Sequence, residues 1–260
     1  MLGLLPSVSR PLRVLKNHRL ANKLLIIEKF DENMCGFAGV IDIKHAFEAP
    51  MLEDCARDMA SRIAARGPDD EGVFLDKKAG YAVGFRRLSI IDLSDYGHQP
   101  MMSQDGRYVV AFNGEIYNFS EIRETLEEEG LTSWRGSSDT EVLLAAICSY
   151  GLDKAIHLFD GMFAFALWDI KTSRLHLVRD RLGEKPLYYG WCGSHFLFGS
   201  ELKAFTAHVA WQPEIEERAL TAFLRYSYVP EPFSIYRGIF KLRPGHHVRL
   251  DVANMVPSIL

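Results

Sequence analysis

From residue 35 onward, apolar and polar positions alternate in regular blocks. "GFAGVIDI" (36–43) is a continuous apolar run closed by polar residues, which predicts a buried strand. "MLEDCARDMASRIAARG" (51–67) places Leu52, Cys55, Met59 and Ile63 at helical spacing, with Gly67 and Pro68 as a stop. "EGVFL" (71–75), "YAVGFRRLSII" (81–91) and "YVVAFNG" (108–114) read as strands. "SEIRETLEEEG" is an amphipathic helix with Ile122 and Leu126 inward, ending at Gly130. "SDTEVLLAAICSYG" is a second helix, and Ser138 with Glu141 has the spacing of a capping box. "GMFAFALWDI", "RLHLVRD", "PLYYGW" and "HFLFGS" (161–200) follow as strands on short turns.

Strands outnumber helices, and helices come in groups rather than alternating with strands. That pattern predicts an α+β fold with antiparallel sheets and argues against a doubly wound parallel sheet. After about residue 205 the character changes. "EERALTAFLRYSYVPEP" suggests a short helix and a Pro-broken turn. "IFKLRPGHHVRLD" suggests a hairpin, and "VANMVPSIL" suggests no element.

Composition narrows the function classes. The chain has 260 residues, is 48% apolar and 25% charged, and carries a formal net charge of −4. It is long enough for a sizeable core. It has no global basic field that would favour nucleic acid. Cys35, Cys55, Cys148 and Cys192 are far apart, with no CxxC pair or zinc-ligand spacing, so reduced thiols in an intracellular protein are expected. The longest apolar runs, "KLLII" and "MFAFALW", are too short to span a bilayer. There is no GxGxxG or GxxxxGK[ST] phosphate loop.

Residues 1–27 stand apart: Arg10, Arg13, Lys16, Arg19 and Lys23 are present and acids are not. Three readings follow: sequence upstream of a start at Met34, a cleaved transit or pro-segment, or a retained extension. Pro6 argues against a secretory signal.

Candidate chemistry begins at Cys35. An internal Cys has a thiol and an amide nitrogen, and its ordinary fate is to pack as a small hydrophobe. A Cys that opens a chain carries an α-amine beside the thiol, and that amine can serve as its general base. Asn113 and Gly114 offer an amide and a backbone N–H for an oxyanion, or simply a hairpin turn. Arg87 could grip a carboxylate or be an edge-strand charge. Asp139 fits the first turn of a helix whether or not a ligand is present. Glu115 fits a solvated surface. Arg66 suits a loop anchor, and Arg179 with Asp180 a structural pair.

Taken in order, Met34-Cys35-Gly36, RGPD, RRLSIIDLS, GHQPM, NGEIYN, SDTEVLL, GMFAFALWD, RDRLGEKPLYY and SELKA closely resemble one family. It is the class II, N-terminal-nucleophile glutamine amidotransferase domain of the glutamine-hydrolysing asparagine synthetases, and the resemblance runs from Met34 to about Arg249.

The resemblance implies a four-layer α/β/β/α fold with two stacked, mainly antiparallel sheets, and glutamine as substrate. It implies an extension at 1–34, an amidotransferase domain at 35–205, and at 206–260 its remainder with a linker towards a synthetase domain. Cys35 would attack the glutamine amide and form a thioester, with Asn113 and Gly114 stabilising the oxyanion. Arg87 would hold the α-carboxylate, the stretch Leu88, Ser89, Ile90, Ile91 would shape the pocket, and Glu115 with Asp139 would hold the α-ammonium.

No metal or cofactor is implied for these residues. ATP and Mg belong to the synthetase domain, whose Ser-Gly-Gly-x-Asp-Ser loop is not in this sequence. The chain is therefore expected to act at most as a cytoplasmic glutaminase that supplies ammonia to a synthetase domain or chain for asparagine synthesis. A homodimer stays open, and neither nucleic acid nor membrane is an expected partner. The alternative is a catalytically silent glutamine-binding or regulatory fragment with its extension retained. Phe85 stands where the family often has a His.

Overall fold

The computed structural model describes residues 34–89, 92–131 and 133–252, with the backbone of 257–259. The readings made for the extension, and for Ile90 and Ile91, fall outside these residues. The strand expected at 36 is β1 (Gly36–Asp42), and every residue of it is buried. β3 (Tyr81–Arg87) pairs with it, and β2 (Asp70–Asp76) pairs with the other side of β3. After β4 (Met101–Met102) come β5 (Tyr108–Ile116), β6 (Gly161–Asp169) and β7 (Arg174–Arg179). β8 (Tyr188–Cys192), β9 (His195–Gly199), β10 (Ile239–Lys241), β11 (His247–Asp251) and β12 (Pro257–Ile259) complete the strands.

They form two six-stranded sheets, ordered β10-β8-β9-β1-β3-β2 and β12-β11-β7-β6-β5-β4. Each ladder between these strands is antiparallel. The sheets share one apolar core, in which Phe37, Tyr81, Phe85 and Phe198 of the first meet Ala164, Trp168 and Leu177 of the second. Tyr81 stacks on Trp168 at 4.3 Å between ring centres. Phe85, in the place of the family's His, is a fully buried part of this core.

Helices cover the outer faces. α1 (Ala49–Ser61) lies on the first sheet, burying Leu52, Cys55 and Met59 as its spacing predicts. α2 (Phe119–Glu128), α3 (Asp139–Tyr150) and α4 (Leu152–Leu158) enclose a second core with β5 and β6, using Ile122, Leu126, Leu143 and Ile147. Two short helices follow, α5 (Leu202–Phe205) and α6 (Glu217–Tyr226). The architecture is α/β/β/α, and among the described residues both cores are built after Met34. Residues Asp31–Leu260 form a compact unit by themselves.

Several expectations need correction. α1 ends at Ser61, several residues before Gly67. β3 ends at Arg87 rather than at Ile91. The segment read as a hairpin is none: β10 pairs with β8 and β11 with β7, so its two strands join different sheets. The Pro-Gly turn between them crosses the sandwich edge. "VANMVPSIL" contains β12, which pairs with β11. Short edge strands carry too few residues for alternation to show. α4, of seven residues, went unread for the same reason.

The capping box is half formed. Ser138 Oγ accepts the Glu141 N–H at 3.2 Å, but the Glu141 carboxylate accepts the N–H groups of Arg135 and Gly136, each at 2.9 Å. Arg179 and Asp180 are not partners: Arg179 pairs with Glu231 at 3.1 Å, and Asp180 accepts backbone N–H groups.

Candidate active site

β1 sits in the centre of the first sheet, and Cys35 immediately precedes it. Arg66 fixes this entry: its Nε donates to the Cys35 carbonyl at 3.0 Å, while its Nη1 pairs with Glu201 at 2.9 Å. Arg66 thus anchors the segment that carries Cys35 into β1, a sharper role than a loop anchor. The Cys35 thiol lies against Leu88, 3.3 Å from its N–H, which donates to Sγ, and 3.4 Å from its carbonyl. Burial pushes the Cys35 thiol up, while the Leu88 N–H and the Arg87 charge pull it back in part. A buried thiol held protonated needs a base before it can act as a nucleophile.

The thiol faces a cavity of about 90 Å³. On this measure one water takes roughly 10–15 Å³, so the space suits a ligand of amino-acid size. Its walls include Cys35, Arg87, Leu88, Asn113, Gly114, Glu115 and Asp139. These predicted site residues, scattered from 35 to 139, are brought together. Ser89 is not among them, because its N–H donates outward to Asp69 Oδ2 at 2.8 Å.

Asn113 and Gly114 are inside β5, paired with Ala164 and Phe163, so the hairpin-turn reading is set aside. The Asn113 side chain is 1% exposed and its Nδ2 has no hydrogen-bond partner. An orphaned buried donor is costly unless a ligand completes it. A Cβ at Gly114 would overlap the Met162 carbonyl on β6, so only Gly fits here.

Arg87 ends β3 and is buried. It donates to the carbonyls of Ser94, at 3.1 Å, and of Asp92. A Cβ at Gly97 would meet its guanidinium, so a larger residue there would have to push Arg87 aside. Two bonds leave donors of this five-donor group for a ligand. Across the cavity, Asp139 opens α3 and accepts the Ile116 N–H at 3.0 Å. Burial, aided by the charge of Glu115, pushes its carboxyl up to about 6, against the pull of the Ile116 and Thr140 N–H groups. The cavity therefore presents one sign of charge on one wall and the opposite sign on another.

Three wall residues escaped the sequence reading. Gln99 clamps β5: its Oε1 accepts the Phe112 N–H at 2.7 Å and its Nε2 donates to the Phe112 carbonyl at 3.3 Å. Asp92 ties the loop to α3 by accepting the Ser137 N–H at 2.9 Å. Lys185 is 5% exposed on the cavity wall. Gln99 and Lys185 lie in GHQPM and RDRLGEKPLYY, so the motifs were visible but their geometry was not. Among the described residues, no group of three His, Cys, Asp or Glu side chains is placed to hold a metal ion, and no helix is long and apolar enough to cross a membrane.

Comparisons with known proteins bear on this pocket. A family profile described as a glutamine amidotransferase domain matches residues 34–258. Asparagine synthetase [glutamine-hydrolyzing] 1 of Bacillus subtilis is 41% identical over 213 residues, covering 82% of this chain and 33% of the relative. Asparagine synthetase [glutamine-hydrolyzing] 3 of the same organism is 36% identical over 217 residues, covering 82% and 34%. The chain thus spans about a third of the length of these relatives. The solved glutamine phosphoribosylpyrophosphate amidotransferase of B. subtilis shares the fold at a TM-score of 0.58 and 19% identity, over 86% of this chain and 49% of that one.

Proposed function

This chain belongs to the family of glutamine amidotransferase domains, and on its pocket we propose that it hydrolyses glutamine to glutamate and ammonia through a thioester on Cys35. The observation that carries the proposal is the partnerless, buried Asn113 amide in the same cavity as the Cys35 thiol.

In this mechanism the α-amine of a chain that opens at Cys35 takes the thiol proton. The thiolate attacks the side-chain amide carbon of glutamine. Asn113 Nδ2 and the Gly114 N–H receive the oxyanion. The C–N bond breaks, the amine's proton passes to the leaving nitrogen, and ammonia departs. Water then cleaves the thioester, releasing glutamate and restoring the thiol. Arg87 holds the α-carboxylate, and Glu115 with Asp139 hold the α-ammonium. Pairing both ends of a zwitterion in a buried site rejects analogues that lack either.

The names of the two curated relatives support asparagine synthesis as the destination of the ammonia. A synthetase half, on this or another chain, would accept it, and ATP with Mg belongs to that half. The cytoplasm is the proposed compartment.

A second reading has its own support. With Met34 attached, its N–H donates to the Arg66 carbonyl at 2.9 Å and its side chain lines the cavity. Cys35 then has an amide in place of the base, and such a chain binds glutamine silently.

The test is ammonia release by a chain that intact mass shows to begin at Cys35, beside one retaining residues 1–34. Turnover by the first and binding alone by the second is the expected pair. A chain opening at Cys35 that neither binds nor hydrolyses glutamine would overturn the proposal.

A further inference from the structure

Arg87 and Asp139 belong to different layers. One ends β3 in the first sheet, and the other opens α3, which packs on the second. The mechanism above asks them to hold the two ends of one zwitterion, so their separation has to match an α-amino acid. Asp92 is bonded towards both. Its carbonyl accepts from Arg87 Nη2, and its carboxylate Oδ2 accepts the Ser137 N–H at 2.9 Å, two residues before Asp139. The Ser137 hydroxyl stands 3.4 Å from the same oxygen. The other oxygen, Oδ1, accepts the Ser94 N–H at 2.8 Å and the Ser94 hydroxyl at 2.5 Å. Ser94 gives its own carbonyl to Arg87 Nη1 at 3.1 Å. Asp92 and Ser94 thus form one hydrogen-bonded block between the guanidinium and the start of α3.

The α3 side of this contact is shaped to receive it. A Cβ at Gly136 would stand 2.6 Å from Asp92 Oδ2, and the Gly136 N–H is held by the Glu141 carboxylate at 2.9 Å. Asp92 is 7% exposed. Burial raises its carboxyl, but the bonds from Ser94 and Ser137 outweigh burial and hold it below the ordinary carboxylate value. It therefore stays a charged acceptor across the range in which Asp139, raised to about 6, titrates.

We infer that Asp92 is a positioning residue that determines specificity: it fixes the spacing between the carboxylate grip of Arg87 and the ammonium grip of Asp139, so that the pocket selects ligands carrying both charges of an α-amino acid. The inference rests on the roles given to Arg87 and Asp139 under Proposed function. A ligand held at one end can shift until its single charge meets its partner. A ligand held at both ends cannot, and its affinity follows the distance between the partners. Asp92 lies on the cavity wall, but its oxygens already accept from Ser94 and Ser137, so it acts through its neighbours.

Two variants test this. Asp92→Asn keeps the carbonyl and the side-chain size, yet its single acceptor oxygen cannot stand at both the Ser94 and the Ser137 positions. Gly136→Ala presses on the same contact from the α3 side and leaves Asp92 in place. Each is made in the chain begun at Met34, which lies within the compact unit Asp31–Leu260. Binding is read with Cys35→Ala, and ammonia release with Cys35 present and Met34 removed. NMR titration gives affinities for glutamine, for glutaramate, which lacks the ammonium, and for 4-aminobutanamide, which lacks the carboxylate.

In both variants glutamine affinity is expected to fall about 10–100-fold and each analogue's by less than about threefold, so the preference for the zwitterion narrows. KM for glutamine should rise in step while kcat changes by less than about threefold. Equal losses for all three ligands would mean packing alone and overturn the inference. Loss of glutamine and 4-aminobutanamide together, with glutaramate unaffected, would mean that Asp92 meets the ammonium directly, and overturns it too. So does a wild type that binds glutamine no more tightly than the analogues. Ammonia release with an unchanged preference sinks this inference alone. A narrowed preference without ammonia release sinks the thioester reading alone. If Asp92→Asn does not fold, Gly136→Ala decides.

Discussion

The two ends of β1 invite comparison. One end delivers Cys35 and the other delivers Asp42, and both sit among buried polar groups. Asp42 is fully buried; its Oδ2 accepts the Phe47 N–H at 2.7 Å, and His195 Nε2 lies 3.5 Å from its Oδ1. His195 packs against His208, with ring centres 4.7 Å apart, and Phe47 stacks on His195 at 4.6 Å. Burial pushes His208 down to about 4, with the neighbouring His195 adding to the effect. This far end is also rich in titratable groups: an acid, two histidines and the Cys192 thiol. A cavity lined by Asp42, Glu48 and Lys77 reaches this end too, and His195 and His208 have nitrogens without partners, but the Cys192 thiol is not on that cavity's wall, whereas the Cys35 end sets a thiol, an orphaned donor and both signs of charge around one space. Burial shifts proton affinities wherever it occurs. A site also needs access and groups that converge on one absent ligand.

Cys35→Ala tests the comparison most severely. Loss of the nucleophile should lower ammonia release by at least about 10⁴-fold while glutamine affinity stays within about tenfold. Cys192→Ala, at the far end, should leave turnover within about twofold. Isothermal titration and an ammonia assay read both. Equal rates in wild type and Cys35→Ala would end the nucleophile assignment, and a large loss in Cys192→Ala would erase the distinction between the ends.

Asn113→Leu comes next. It removes the orphaned donor while keeping the branched side-chain skeleton, so kcat should fall about 10²–10³-fold with little change in KM. A rise in KM alone would mean that Asn113 binds the ground state rather than the oxyanion.

Asp139→Asn should act on KM, by roughly 10²-fold, because the α-ammonium loses its charged partner. Asn keeps an acceptor for the Ile116 N–H, so the fold is spared. The pH dependence carries the sharper test. The Asp139 carboxyl is raised to about 6, so it becomes neutral as pH falls through that value, and glutamine affinity should drop there. The variant should show no such drop. Arg87→Ala is a less clean probe, since it also frees the Asp92 and Ser94 carbonyls.

Much of this was legible before the structure. The α+β class followed from strands that outnumber grouped helices. β1, α1 and α3 followed from periodicity, because long elements repeat their pattern often enough to be read. Cys35, Arg87, Leu88, Asn113, Gly114, Glu115 and Asp139, which line the cavity, were nameable through ordered motifs, although each motif alone had a plainer explanation. What stayed hidden was non-local. NGEIYN reads as a turn because Asn-Gly is a strong hairpin signal, and only pairing with β6 turns it into a strand interior. Glu141 has capping-box spacing but is drawn off by the N–H groups of Arg135 and Gly136. Nothing in RDRLGEKP reveals that Arg179 and Asp180 grip backbone instead of each other, nor that Lys185 ends beside Met34.

The smallest effect, and the one that closes the comparison, belongs to Asp42→Asn. If the far end is structural, the variant should lose about 1–3 kcal/mol of stability, from a weakened buried contact to His195, and keep ammonia release within about twofold. His208, packed against His195, adds a pH signature. A histidine held below its ordinary value binds fewer protons folded than unfolded, so stability should decline as pH falls from about 6.5 towards 4. Denaturant unfolding at pH 7.5 and pH 5 reads this in wild type and in His208→Phe, where the decline should shrink. An Asp42→Asn variant with unchanged melting but impaired turnover would show that the strand links its two ends in catalysis. Buried polarity at the far end would then have to be counted as part of the site rather than as part of the frame that aims it.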